Sequence, residues 1–269
     1  MKKPKKKKSR KATAPKGYSA PALEKGIDIV ELLARVPAGL TISEIAERLR
    51  RSMNEVFRII VVMEGRGWLH KNSESDRYTV TYHLLELVQC ATPARSLSAI
   101  AAPVMYELAV ATNQSCHLVV RAGGRALIIQ REESGGMQGG FAVQPGTAID
   151  LVKSCSGHVL LAFAAPHMYK AILAQLPRPL PWPIRKLERR LAQVRRRGYE
   201  LQPSYRTHGV TDVSFPIFGF DGHIAAALTV PYLLLIDKSA PTTLNQTRDL
   251  LEVAARKVSL GLGWAGERA

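Results

Sequence analysis

The sequence predicts an α+β chain in two parts: an N-terminal winged helix-turn-helix and, beyond a linker helix, a larger domain mixing helices and strands. Three observations predict it. Two capping-box sequences, Thr41-Ile42-Ser43-Glu44 and Ser52-Met53-Asn54-Glu55, stand eleven residues apart. A polar-tipped hairpin pattern follows them, from Trp68 to Val80. Past Thr112 the apolar period changes, and β-like runs alternate with helical ones to the end of the chain.

Residues 18–34 read as a helix, with Leu23, Ile27, Val30 and Ala34 on its apolar face and Ile29, Leu32 and Leu33 widening it. Pro37-Ala38-Gly39 breaks it. In a capping box the hydroxyl and the carboxylate satisfy free backbone N–H groups where a helix starts. Thr41 and Glu44 therefore open a short helix, Ile42–Leu49. Ser52 and Glu55 open the next, with Val56, Ile59, Ile60 and Met63 inward and an end at Gly65 or Gly67. Two capped helices with a short join, behind a first helix, make a helix-turn-helix. Trp68–Lys71, a turn at Asn72–Asp76 and Arg77–Val80 supply the wing. The winged domain spans 18–82, and 83–96 is read as the linker helix.

The domain assigned to 97–269 opens with a helical stretch, Leu97–Ala111, in which Pro103 should bend or restart the helix. His117–Val120 and Ala126–Ile129 form a hairpin around Gly123-Gly124. A glycine-rich loop occupies 134–140. Val152–Ala164 reads as a helix entered through Ser154, and Arg185–Arg197 as a basic amphipathic helix ended by Gly198. Val213–Phe218 and Ile224–Val230 are strands around Phe220-Asp221-Gly222, and Thr242–Leu262 is a closing helix. This length can bury its own core and enclose a ligand.

Composition narrows the function. Hydrophobic residues make up 46% and charged residues 22%, which excludes a disordered chain. Three cysteines cannot form a disulfide framework, and free thiols fit a reducing, cytoplasmic setting. No apolar run is long enough to cross a membrane, and the lysine-rich start lacks a signal peptide's apolar core. Of the net charge of +16, nine charges sit in residues 1–16. Residues 1–17 are therefore expected to be a disordered arm for a polyanion or a solubilising tail.

Candidate DNA contacts follow from the helix-turn-helix. Arg58 and Asn54 lie on the second capped helix, where Arg can bind guanine or phosphate and Asn can read adenine. The alternative for Arg58 is an ion pair with Glu55 one turn earlier. Thr41, Ser52 and Met53 lie at the helix starts, where Ser52 caps or touches phosphate. Glu55 reads cytosine or completes its capping box. Arg50, Arg51, Lys71 and Arg77 are phosphate candidates. The basic helix at 185–197 is a second candidate patch or a solvated face.

A second constellation comprises Cys116, His117, Cys155, His158, His208 and Asp212. These are zinc-ligand types, but no CxxC, HxH or HExxH spacing joins them, and no cofactor motif appears. Read as an enzyme, Cys155 or Cys116 would be the nucleophile and a histidine the base, though no nucleophile motif is present. A polar small-molecule pocket is the third reading. Ser154, as N-cap, would leave free N–H groups for an anion.

The ordered motifs resemble the IclR family of bacterial transcriptional regulators along nearly the whole chain. Ala22-Leu23-Glu24-Lys25-Gly26 is similar to its opening helix, and Leu40 through Leu49 to its first motif helix. Glu55-Val56-Phe57-Arg58 with Met63 through Leu69 is similar to its recognition helix and wing start. Gln144-Pro145-Gly146, Gly157 with Leu160-Leu161-Ala162-Phe163, Arg196-Arg197-Gly198-Tyr199, Gly209-Val210, Pro216-Ile217-Phe218, Asp221-Gly222 and Ala226 through Val230 follow in the family's order. The resemblance implies a GAF-like effector-binding domain, dimers or dimers of dimers, and double-stranded operator DNA as partner. Its ligand cavity would be formed around Cys155, Ser156, Asp212 and Thr229, with Phe141, Ser154 and His158 beside them. The sequence departs from the family with His158 for a usual Lys and Asp212 for a frequent Cys. A carboxylate at Asp212 points to a hydroxy or sugar acid, its acid end toward Ser154–Ser156 and a hydroxyl toward Asp212. An aromatic acid against Phe141, Phe215 and Tyr232 is the alternative effector. A DNA-binding protein without a ligand is the remaining alternative.

Overall fold

The computed structural model describes residues 19–90, 92–133, 143–234 and 241–266, with the side chains of 88–96 left out. The basic tail, the whole of the glycine-rich loop 134–140 and Phe141 thus lie outside the described residues. The chain divides into two compact units between residues 91 and 92. The stretch read as a linker, 83–96, falls in the last helix of the first unit and the first helix of the second.

The first unit contains α1 (Pro21–Leu33), α2 (Ile42–Leu49), α3 (Met53–Gly65), β1 (Leu69–Lys71), β2 (Tyr78–Val80) and α4 (His83–Cys90). Both expected capping boxes form. Thr41 Oγ1 accepts from Glu44 N at 3.3 Å, and Thr41 N donates to the Glu44 carboxylate at 2.8 Å. Ser52 and Glu55 repeat the arrangement at 3.3 and 3.2 Å. β1 and β2 pair antiparallel, Leu69 opposite Val80. Leu40 adds a bridge, exchanging backbone hydrogen bonds with Tyr78 at 3.1 and 2.8 Å. Gly39 makes that approach possible: its φ is +71°, and a Cβ there would meet Tyr78 O at 2.8 Å.

The core of this unit is Ile29, Leu33, Leu40, Ile45, Val56, Ile60, Leu69 and Tyr78. The face expected of α1 is rotated. Ile29 and Leu33 are buried, whereas Leu23 and Ile27 are 64% and 51% exposed. Apolar residues cover most of this helix, so periodicity does not choose its inner side. Close packing does: Gly26 lies within 3.7 Å of Ile59 and 3.8 Å of Met63 as measured from a Cβ position.

The second unit contains α5 (Thr92–Thr112), β3 (Cys116–Ala122), β4 (Arg125–Glu132), β5 (Ala148–Ile149), α6 (Cys155–Ala162), α7 (Pro166–Gln175), α8 (Ile184–Arg197), β6 (Glu200–Pro203), β7 (Val210–Phe218), β8 (Ile224–Leu233) and α9 (Leu244–Gly261). The strands form one antiparallel sheet in the order β5-β4-β3-β8-β7-β6. Side-chain alternation divides its two faces. Leu118, Val213, Phe215, Ile217, Leu228, Val230 and Tyr232 pack against α5 and α9. Val119, Ile128 and Ala227 pack against α6, α7 and α8. Pro103 lies inside α5, which continues through it. No helix among the described residues is long and apolar enough to cross a membrane.

Candidate functional site

The first candidate surface is the outward side of α3 and the segments around it. Val56 and Ile60 anchor α3 in the core, leaving Asn54 and Arg58 exposed on the other side. Arg58 does not pair with Glu55. The Glu55 carboxylate accepts instead from Lys25 at 2.7 Å and from Ser52, and the Lys25 bond is the first reason that its pKa falls to about 2. Ser52 and Thr41 are thereby committed to capping.

The phosphate candidates separate into paired and unpaired cations. Arg51 meets Asp28 at 3.0 Å and Lys71 meets Asp76 at 2.6 Å. Arg77 is a strut: it donates to Glu44 at 2.9 Å and to the Gly39 carbonyl at 2.9 Å, fastening the wing to α2. The guanidinium, 37% exposed, thus has two acceptors within the fold before it meets any phosphate. Thr41 N and then Arg77 draw the Glu44 carboxyl below its ordinary range. Arg50, left-handed at the end of α2 (φ +55°), and Arg58 form no ion pair among the described residues.

The second candidate site is a cavity on the α6 side of the sheet. Ser154, Cys155, Ser156, Asp212 and Thr229 line it, together with His117, Ser204, Tyr205 and Arg206. Five of the expected effector residues are thus brought together. Strand alternation explains Asp212, Thr229 and His117: His117 pairs with Thr229 across β3 and β8, and all three face α6. Ser154 ends an Asp150 turn and caps α6, accepting from Gly157 N at 3.0 Å and donating to Asp150 O at 2.6 Å. Gly157 lets this turn close, since a Cβ there would lie 2.4 Å from Leu151 O. The cavity measures about 30 Å³, room for two or so waters at the ~10–15 Å³ that each needs.

Burial governs the chemistry. Desolvation raises the Asp212 carboxyl to about 6 despite a hydrogen bond from Ser204. It lowers His117 to about 4, so that this imidazole is neutral near pH 7 and offers one donor and one acceptor. Arg206, on the exposed loop after β6, is the cation on the cavity lining.

Several expected members lie elsewhere. His158 is fully buried behind α6, with Nδ1 on Glu200 at 2.9 Å and Nε2 on Val152 O at 2.7 Å. Arg190 meets the same carboxylate through Nε at 2.7 Å and Nη2 at 2.8 Å. Burial alone would raise Glu200, but the bonds from His158 and Arg190 carry its pKa below the usual value. His158 therefore ties α6 to β6 and α8 and does not line the cavity. Phe215 and Tyr232 point to the α5–α9 face and cannot form its apolar wall. Cys116 faces that side too, donating to Met105 O at 3.5 Å. His208 is exposed and outside the cavity lining.

Of the zinc-type constellation, His117, Cys155 and Asp212 share the cavity lining and the other three do not, and no group of three side chains placed to hold a metal ion occurs among the described residues. Burial raises the Cys155 thiol well above its usual range, and the thiol donates to Glu200 O and Asp212 O. Burial pushes Cys116 to about 12. Neither thiol carries the charge that a nucleophile requires.

The IclR helix-turn-helix domain matches residues 22–73, and the C-terminal domain of bacterial transcriptional regulator IclR matches residues 90–260. The chain is 31% identical to the HTH-type transcriptional regulator BhcR of Paracoccus denitrificans, over 92% of this chain and 90% of that one. It is 26% identical to the HTH-type transcriptional regulator KdgR of Escherichia coli, over 83% of this chain and 86% of that one. Its fold matches an IclR homolog of Microbacterium hydrocarbonoxydans, solved in complex with 4-hydroxybenzoate. The TM-score is 0.73 at 24% identity, covering 90% of this chain and 98% of the other. The chain belongs to the IclR family: it is a transcriptional regulator of the IclR type with a DNA-binding helix-turn-helix.

Proposed function

We propose that the protein binds a specific operator through α3 and that a short organic acid, held in the α6 cavity, modulates this binding. The observation that carries the reading is the convergence of Ser156, His117, Asp212 and Thr229 on the α6 N-terminus, with Arg206 on the same lining. The free N–H groups of the first α6 turn and the Arg206 guanidinium suit the carboxylate. Asp212 and Thr229 suit a hydroxyl or keto oxygen at the other end. Ser154, already bonded on both sides, is a cap in this arrangement and not a ligand group.

An aromatic acid is the second reading, favoured by the 4-hydroxybenzoate bound to the Microbacterium homolog. In both readings residues 18–82 bind DNA, 83–96 link, 97–269 bind effector and associate as dimers or dimers of dimers, and tail 1–17 adds phosphate contacts. Calorimetry on the full chain with short hydroxy acids, sugar acids and aromatic acids tests the ligand class. Binding of aromatic acids alone, undiminished by Asp212→Ala, would refute the first reading. Arg58→Ala should weaken operator binding by roughly 1–3 kcal/mol and leave the fold intact. An unchanged footprint would remove Arg58 from the interface.

A further inference from the structure

The solvent side of α3 carries an apolar stripe that the fold does not use. Met53, Phe57 and Val61 follow at four-residue spacing and are 55%, 52% and 48% exposed. Single exposed apolar residues are ordinary, but three in line on one helix mark a contact surface. At about 100° per residue, Phe57 and Val61 share the outward face with Asn54 and Arg58. Val56 and Ile60, on the opposite side, are buried.

The surroundings favour DNA over a second copy of the chain as the cover. Arg58 lies beside the stripe and Arg50 ends α2, both without ion pairs among the described residues, and Glu55, the acid in the first turn, is occupied by Ser52 and Lys25. A two-fold contact through this face would bring Arg58 toward its own copy, whereas a polyanion is complementary to it. In the major groove thymine alone among the four bases presents a methyl group, and apolar side chains are its matching contact.

We propose that Phe57 and Val61 read thymine C5-methyl groups in the operator, with Arg58 beside them as the polar anchor. This rests on the reading of α3 as the DNA-contacting helix. The two side chains stand about 6 Å apart along the helix axis, close to two base-pair rises of roughly 3.4 Å. The half-site should therefore contain thymines about two base pairs apart, on either strand, under the middle of α3.

The test begins with selection of a binding sequence from a randomised duplex library by the full-length protein. The selected duplex is then resynthesised with deoxyuridine for thymidine, one position at a time. This removes the methyl and leaves every hydrogen-bonding group in place. Affinity should fall about fourfold at each of two or more positions, the effect of one methyl-sized burial. Phe57→Ala should bind the thymidine and deoxyuridine duplexes alike at one of those positions, while Phe57→Leu keeps part of the difference. Alanine suits an exposed helix site, so circular dichroism should be unchanged. Sequence-selective binding that ignores every deoxyuridine would overturn methyl readout and leave α3 as the DNA helix. Failure to select any sequence would overturn both. A Phe57→Ala protein with altered sedimentation but intact thymidine preference would reassign the stripe to a second copy and overturn the proposal.

Discussion

Both units carry ion pairs at the surface, such as Lys257 with Glu107 in the second, but among the described residues only the second also buries charged groups. In the first, the ion pairs lie at the surface: Lys25 with Glu55, Arg51 with Asp28, Lys71 with Asp76, and Arg77 with Glu44. In the second, the Glu200 carboxylate is buried between His158 and Arg190, and Asp212 is buried beside the cavity. Surface pairs contribute little individually, because water screens them and side-chain entropy opposes them. Buried charges are costly to strand once a partner is lost. The first unit can therefore vary its surface charges to suit an operator, whereas the second depends on its charged groups for the integrity of the cavity wall.

The comparison is sharpest at Glu200. Glu200→Gln leaves Arg190 and His158 facing a neutral amide in a buried site. Loss of one partner from such a site costs about 3–5 kcal/mol. Urea unfolding should show this loss in the second unit's transition and not in the first's. A change below about 1 kcal/mol would show that the triad is exchangeable with neutral groups and would break the contrast. The acid limb gives a second check. The Glu200 pKa is depressed in the fold, so its contribution is present above the ordinary carboxylate value of 4.5 and is lost as pH falls below it.

Asp212 should show the opposite pH dependence. Its pKa is raised from 3.8 to about 6 by burial. A raised carboxyl contributes stability that is fully present below the unfolded value and is lost as pH rises through the folded one. Asp212→Asn should therefore match the wild type near pH 4 and exceed it above pH 7, by an amount on the order of 2–3 kcal/mol. If the variant has no advantage at pH 8, the carboxyl is solvated. The same protonation governs the proposed ligand: an acid beside Asp212 should bind more tightly at pH 5 than at pH 8, and the Asn variant should lose that dependence.

How legible these features were depends on the range of the interactions. Both capping boxes are visible because each needs only residues three apart, and they locate α2 and α3. Asp212 and Thr229 are visible through the resemblance. Arg206, Ser204 and Tyr205 are not, because a loop residue reaches the cavity through the path of β6, a short strand with Pro203 that has little β pattern. His117 appears in the sequence as one of a constellation with open readings, beside Cys116 and outside the expected effector residues, although strand alternation alone sends the two to opposite faces. α7 carries a usable signal, Pro166 at its first turn, which the run of motifs around it obscures. His158 is misplaced because its position in the family pattern says nothing of the Glu200 that turns its ring inward, 42 residues away. The inner face of α1 depends on its approach to α3, which no local pattern contains.

Arg77 supplies the smallest expected effect and the most discriminating one, because its charge could serve either scaffold or DNA. As a strut it holds the wing to α2 through Glu44 and the Gly39 carbonyl. Both side chains of the pair are about one-third exposed (37% and 36%), so solvent screens the attraction. Arg77→Ala should cost no more than about 1 kcal/mol of stability in the first unit. The effect on DNA separates the two roles. Each phosphate contact contributes about 0.9 to the slope of log affinity against log salt. If Arg77 only positions the wing, the variant keeps the wild-type slope, and Arg77→Lys, which cannot make the two-pronged contact, loses as much stability as the alanine variant. If Arg77 leaves Glu44 to hold a phosphate, the slope falls by about one contact and lysine restores it. A lysine-restored slope would show that the surface ion pairs of the first unit are a resting arrangement of DNA-binding cations, and the contrast between the units would then be one of function as well as of burial.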